Sequence, residues 1–359
     1  MTFSIFKNQC QDTRRNSNSA SNALLVWCVL MQCAMCSTPL TDNCRQFSIP
    51  EAMFRIGMDF TYSECSHCSS LNLIQPISTE TPLYPDNYYS FSKDPFEVFN
   101  NYLPRLITAF LGKLALRGRI SLLRFVQSHA PIREVRTFAS MLVAVSNARN
   151  ENSFQRILDV GTGSGVLPFV ISLAKPKYVL GIDPFLTFEK SIGCFELKRL
   201  NIMQIDESFD LILFNHSLEH LENIQDSLKH AQQCLSQNGR IIIRIPTVSS
   251  FAWKHYRECW FQLDAPRHKC IPSRDGLAQL AKSCSLEVER KYDDSTESQF
   301  WLSEEIQNGH SMMDPSNKFL TFRTSTHSKL HMRKMQIKAK ALNESHNGDQ
   351  VVIVLRNLP

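Results

Sequence analysis

The stretch Arg156-Ile157-Leu158-Asp159-Val160-Gly161-Thr162-Gly163-Ser164-Gly165-Val166-Leu167 decides the fold of this 359-residue chain. Ile157 to Val160 is a short apolar run of the kind that forms a buried parallel strand. Three alternating glycines follow, and then an apolar pattern of helical period from Val166 to Leu173. Strand, tight turn and helix in that order mark the place where doubly wound α/β proteins bind cofactors. The glycine spacing narrows the choice. A dinucleotide fingerprint puts glycine at the first, third and sixth positions, but the sixth position counted from Gly161 is Val166. A P-loop ends in Gly-Lys-Ser/Thr, which is absent here. What remains is acidic-x-Gly-x-Gly-x-Gly, a loop whose backbone a ligand can approach closely because no Cβ intervenes.

Working outward, Tyr178 to Ile182 reads as the next strand and ends at Asp183. A carboxylate about 20 residues beyond such a loop, at the end of the second strand, is the expected acceptor for ribose hydroxyls. Phe209 to Asn215 forms a further strand, followed by His216-Ser-Leu-Glu219-His220. A helix from Ile224 to Leu235 is stopped by Asn238-Gly239, and Arg240 to Pro246 is too apolar to be exposed on either face. Leu286 to Tyr292 and Gln350 to Leu355 supply two more strands. Strands alternating with helices imply a parallel sheet.

Together these motifs resemble those of class I S-adenosylmethionine (SAM) dependent methyltransferases, from about Phe154 to Cys284. The resemblance implies an α/β, Rossmann-like, doubly wound sheet of seven mostly parallel strands, the last two forming an antiparallel edge hairpin. It implies cofactor contacts from Asp159, Gly161, Thr162, Gly163 and Gly165 under the methionine half of SAM. Asp183 would hold the ribose, Asn201 would stand where the family keeps an acidic residue near the adenine, and Asn215 would close the end of strand four. The run Trp260-Phe-Gln262-Leu-Asp264-Ala-Pro-Arg267-His268, with Tyr292 to Thr296 and Gln299-Phe-Trp301, resembles a bacterial subfamily that carries an N-terminal zinc ribbon and often accompanies cell-surface polysaccharide synthesis.

Cysteine placement carries the second signal. Of twelve cysteines, Cys33 and Cys36 form one Cys-x-x-Cys pair and Cys65 and Cys68 another, with 28 residues between the pairs. Two such knuckles build a closed, structural zinc site of four thiolates. Cys44 and His67 are the competing ligands. The expected organisation is an N-terminal extension over 1–30, a zinc ribbon over 31–80, a helical linker or lid over 81–150, and the methyltransferase domain over 151–359. An insertion at 295–348 is longer than ordinary loops. Ala23 to Met31 is apolar but shorter than the roughly 20 residues a bilayer requires. That run imitates a secretory signal, and translation beginning at Met31 is the blander account; export would oxidise the cysteine pairs, so the expected location is cytoplasmic, where thiols stay reduced.

Methyl transfer to a hydroxyl needs alignment and a proton acceptor. His268 is the first candidate for that base and His216 the second. Glu219 and His220 follow close behind, one of them orienting the helix they share. Arg267 could hold a substrate anion bidentately or pair with Asp264. The Asn/Asp-Pro-Pro-Tyr/Phe clamp of amino-methylating relatives is missing after Asn215, as is any Pro-Cys for cytosine chemistry. A net charge of +5 does not demand nucleic acid. The expected acceptor is therefore an oxygen, less readily a nitrogen, on a sugar, glycan or small metabolite. The rivals are an RNA methyltransferase gripping RNA through the ribbon and the basic stretch from Lys318 to Lys340, and an inactive SAM-binding scaffold.

Overall fold

The computed structural model describes residues 31–77, 97, 102–119, 121–123, 133–148, 154–312 and 329–358. The N-terminal extension, the aromatic stretch Leu83 to Phe91 and the first part of the basic stretch lie outside them.

The sheet that carries the glycine loop has eight strands. Its parallel centre consists of β4 (Arg156–Val160), β5 (Tyr178–Ile182), β7 (Phe195–Lys198), β8 (Phe209–Asn215) and β9 (Leu235–Pro246). β11 (Leu286–Asp293) and β12 (Gln350–Asn357) form the antiparallel hairpin at one edge, and the short β6 (Lys190–Ile192) adds an antiparallel strand at the other. The order is β11-β12-β9-β8-β4-β5-β7-β6. The expected count of seven is corrected to eight. Gly193, at φ +63°, turns the chain back so that Lys190 to Ile192 caps β7. β9 also begins earlier than the Asn238-Gly239 stop suggests. The preceding helix already ends at Gln233. Leu235 pairs with Phe209 and Arg240 with Leu211, so the residues between them are absorbed as an irregularity within the strand.

Side chains alternate between the two faces of the sheet, as the pleat requires. Leu158, Val160, Ile212, Phe214, Ile243 and Ile353 point to one face. They pack there against α4 (Ile224–Gln233), α6 (Arg274–Ser283) and the cysteine knuckles. Ile157, Val179, Leu211, Leu213, Ile242 and Val352 point to the other. They are covered by α1 (Tyr102–Leu116), α2 (Arg133–Ala148) and α3 (Val166–Ser172). The expected linker or lid thus supplies two helices of the sheet's own cover. Pro104 does not interrupt α1 but lies in its first turn, where a missing N–H costs nothing.

The cysteine-bearing segment builds a second sheet. β1 (Gln46–Pro50), β2 (Asp59–Glu64) and β3 (Leu71–Leu73) are antiparallel, and β10 (Cys270–Ile271) joins β3 from the far side of the chain. The described residues from 31 onward cluster as one unit. Phe47, Ile49, Phe60 and Tyr62 share a core with Trp253, Trp260, Leu263 and Phe300. These come from α5 (Phe251–Tyr256), from the following loop and from α7 (Ser298–Gln307). Against α6, the contact is tight: a Cβ on Gly276 would stand 2.3 Å from Ser70 Oγ and 3.1 Å from Met35 Cβ. Gly276→Ala should therefore destabilise the protein by about 1–3 kcal/mol through overpacking. The check is a fall in the thermal midpoint.

Candidate active site

The glycine loop leaves β4 between two buried carboxylates. Asp159 accepts a hydrogen bond from Thr162 Oγ1 at 2.6 Å, closing the loop on itself. Asp183, at the end of β5, accepts from Gly163 N at 3.0 Å and from Phe185 N at 2.9 Å. Each Asp183 oxygen keeps a second lone pair, which suits acceptance of a ribose diol. Gly161 has φ +69°, and a Cβ there would come within 2.5 Å of Ser217 Cβ. Ser217 Oγ in turn donates to Val160 O at 2.6 Å, so the turn after β8 is clipped directly to the loop after β4. Burial drives the Asp159 carboxyl up to about 7, with the Thr162 hydrogen bond opposing and Asp183 adding. Burial likewise raises Asp183, against its two backbone hydrogen bonds.

Asn215 ends β8 half-buried, its Oδ1 accepting from Arg244 Nη1 at 3.3 Å. Asn201 is exposed; its backbone N–H donates to Gln204 Oε1 at 2.9 Å, opening a short 3-10 turn. It is not drawn into the glycine-loop network.

Beyond β8 the chain turns sharply. His216 sits at φ +52°, an uncommon conformation for a residue with a Cβ, and its N–H donates to Arg244 O at 2.8 Å. This turn drops Glu219 into the interior. The Glu219 side chain is fully buried and neither oxygen accepts a hydrogen bond. His216 Nδ1 stands 3.5 Å from Oε1, and His268 Nε2 3.9 Å. Burial opposes charge on Glu219, but the histidines around it, His216 first, outweigh burial and hold the carboxyl below its ordinary range.

His268, the first candidate for the base, is buried. Its Nδ1 lies 2.9 Å from Gln262 O, and burial, reinforced by His220, lowers its pKa to about 4. His216 is more accessible, with about a third of its side chain exposed. Of the two alternatives for Arg267, a substrate anion or a pairing with Asp264, the structure shows the pairing. Its guanidinium, 1% exposed, holds Asp264 Oδ1 from Nε at 2.8 Å and from Nη2 at 2.6 Å, and holds Glu51 Oε1 at 2.6 Å. Burial opposes charge on Asp264, and the adjacent guanidinium overcomes it. Glu51 escapes a reading of the sequence because it belongs to no motif and lies 216 positions from its partner. Tyr62 is similar: its hydroxyl donates to His268 O at 2.7 Å.

The four paired cysteines converge. Cys33 Sγ lies 3.5 Å from Cys68 Sγ, Cys36 Sγ lies 3.5 Å from Cys65 Sγ, and all four sulfurs fall within 4.8 Å of one another. A tetrahedron of 2.3 Å zinc–sulfur bonds has edges of about 3.8 Å, so the donor set fits that ion. The two knuckles match in backbone too. Ser37 and Ser69 both adopt φ +60°, and their N–H groups donate to Cys33 O and Cys65 O. Cys44 and His67 stand outside the cluster.

Residues 122–291 match the family described as methyltransferase domain. Within that span the chain carries a methyltransferase domain. It is 21% identical over 183 residues to the tRNA U34 carboxymethyltransferase of Ruthia magnifica, covering 46% of this chain and 58% of that one. It is 31% identical over 109 residues to an uncharacterized protein of Methanocaldococcus jannaschii, covering 29% and 50%. The chain thus spans about half the length of the curated relatives it matches. Among solved structures, it is similar to the O-methyltransferase of a trans-AT PKS multienzyme from Brevibacillus brevis, in complex with S-adenosyl-L-homocysteine. That likeness has a TM-score of 0.37 at 13% identity and covers 59% of this chain and 69% of that one. Among the described residues no helix of the methyltransferase-bearing chain is long and apolar enough to cross a membrane.

Two outcomes follow from the buried charges. Arg267→Ala should cost about 3–5 kcal/mol, because it strands two buried carboxylates; denaturant unfolding measures it. Asp159 binds a proton in the folded protein, and loses it on unfolding, between its ordinary 3.8 and about 7. Its contribution therefore weakens stability as pH rises through that window. Asp159→Asn should flatten the stability profile there, as melts at several pH values will show.

Proposed function

We propose that this domain transfers the methyl group of SAM to an oxygen, less readily a nitrogen, on a sugar, glycan or related small metabolite. The observation that carries the reading is the glycine loop stitched between Asp159 and Asp183, with the turn after β8 clipped against it. Bound SAM supplies an electrophilic methyl on a sulfonium that leaves readily. The chain's own tasks are then to hold the ribose through Asp183, to seat the methionine half over the loop from Gly161 to Gly165, and to place the acceptor in line. The proton of an acceptor hydroxyl passes to His216. It stands at the β8 edge with its outward side accessible and Nδ1 directed at Glu219, whose negative charge stabilises the resulting imidazolium. His268 is less suited to that role, since it is buried behind Glu219.

Cys33, Cys36, Cys65 and Cys68 would hold a structural zinc ion, in keeping with a reducing, cytoplasmic setting. The polysaccharide association of the zinc-ribbon subfamily is part of the same proposal. RNA is the second reading. It is favoured by the tRNA-modifying relative and by Lys334, Lys338 and Lys340 on α8 (Lys329–Glu344). Lys338, however, lies over the rings of Phe251 and Phe300, which gives it a packing role.

An assay of S-adenosylhomocysteine release against nucleotide sugars, glycans and RNA separates these readings. Turnover on a sugar or glycan is expected, whereas release with RNA alone would reverse the order. Asp183→Ala should weaken SAM binding by about 10- to 100-fold, as loss of hydrogen bonds to a charged group implies. Calorimetry measures it, and unchanged affinity would overturn the ribose assignment.

A further inference from the structure

Behind the β8 edge Glu219, His220 and His268 lie close together. Glu219 offers a carboxylate with no exposed atom and no hydrogen bond to either oxygen. His268 Nδ1 lies 2.9 Å from the Gln262 carbonyl, which can only accept, so Nδ1 carries the hydrogen. Nε2 of the neutral ring is then unprotonated, and it lies 3.9 Å from Glu219 Oε1. His220 repeats the arrangement, with Nδ1 3.1 Å from the Arg267 carbonyl. The two rings meet edge to face, centroids 4.6 Å apart. One nitrogen of each ring and one Glu219 oxygen fall within 4.8 Å of one another.

We propose that Glu219, His220 and His268 bind a divalent transition-metal ion of the zinc class, at a site separate from the four cysteines. Two imidazoles and one carboxylate are the donor set such ions prefer. A ring N–H tied to a main-chain carbonyl is the usual way a ligating histidine is fixed in tautomer and direction. Both carbonyls belong to the loop that Arg267 anchors. The surrounding charge agrees. Glu51 and Asp264 pair with the buried guanidinium of Arg267, Glu219 adds a third buried carboxylate, and a divalent cation balances the excess. Three protein ligands are one fewer than a closed zinc site holds, which leaves a position for water or a substrate oxygen. The site adjoins the glycine loop, because Ser217 touches Gly161 only two residues before Glu219.

The test does not depend on methyl transfer. The full chain is exchanged into Co2+ as the sole probe, bound metal is counted and absorption is recorded. Two equivalents are expected. One gives the strong thiolate-to-cobalt charge-transfer band and is lost in Cys36→Ser. The other gives only the weak absorption of a nitrogen–oxygen site. Glu219→Gln and His220→Gln should each lose the second equivalent, with affinity falling by about 100-fold or more, while retaining the thiolate band as proof of fold. Uptake of a single equivalent by the wild type, carried by the thiolate band, would overturn the proposal and leave a proton shared between histidine and Glu219. So would retention of both equivalents in the variants. Should Glu219→Gln fail to fold, the half-buried His220→Gln and the wild-type count still decide.

Discussion

The guanidinium of Arg267 is the point on which the two halves of the chain depend. A buried cation is tolerable only when paired. Here its partners come from opposite ends of the sequence, Glu51 after β1 and Asp264 in the loop that follows α5. That loop also delivers His268 and the carbonyl that fixes His220. The cysteine-bearing sheet is therefore a wall of the site. Its strand β2 sends Tyr62 to the His268 carbonyl, and its fourth strand, β10, is drawn from the residues just after that loop. Beside its local i,i+3 pair with Asp264, Arg267 makes a second ion pair, to Glu51, that ties the loop to the N-terminal sheet.

The parallel centre of the fold was legible because its signals are local. Apolar runs of strand length, the acidic-x-Gly-x-Gly-x-Gly loop and the interval to Asp183 all lie within a few dozen residues, and each has a direct steric or hydrogen-bonding reason. The two knuckles were legible for the same reason: paired cysteines at fixed spacing leave few alternatives. What escaped depends on contacts distant in sequence. Nothing near Glu51 announces a partner 216 residues away. Nothing in Cys270-Ile271 marks a strand, since two residues have no period. The extra edge strand β6 arises from a turn at Gly193, and sequence pattern seldom separates such a turn from a loop.

The candidate chemistry divides along the same line. The sequence placed His216, Glu219 and His220 after β8 and His268 in a second cluster after β9; the fold brings them together, and burial separates them. His216 keeps an accessible side, whereas His268 is enclosed and its Nδ1 is held by a main-chain carbonyl. All three histidines thus gather around the buried carboxylate, and His216 among them keeps about a third of its side chain exposed. Arg267 moves for a similar reason, from a residue that could meet substrate to one that fixes the loop from Asp264 to His268 against the N-terminal sheet.

The separation between Glu51 and Arg267 also bears on how the chain folds. Closing a loop of that length carries an entropic cost that must be met before the contact stabilises anything. The knuckles and the βα units are local and can form early. The segment from Asp264 to His268 cannot take its final shape until the N-terminal sheet has come round to meet it. Assembly of the candidate site therefore follows assembly of the sheet, and a chain still growing from the ribosome would form its glycine loop well before it could organise the histidines beyond β8 and β9.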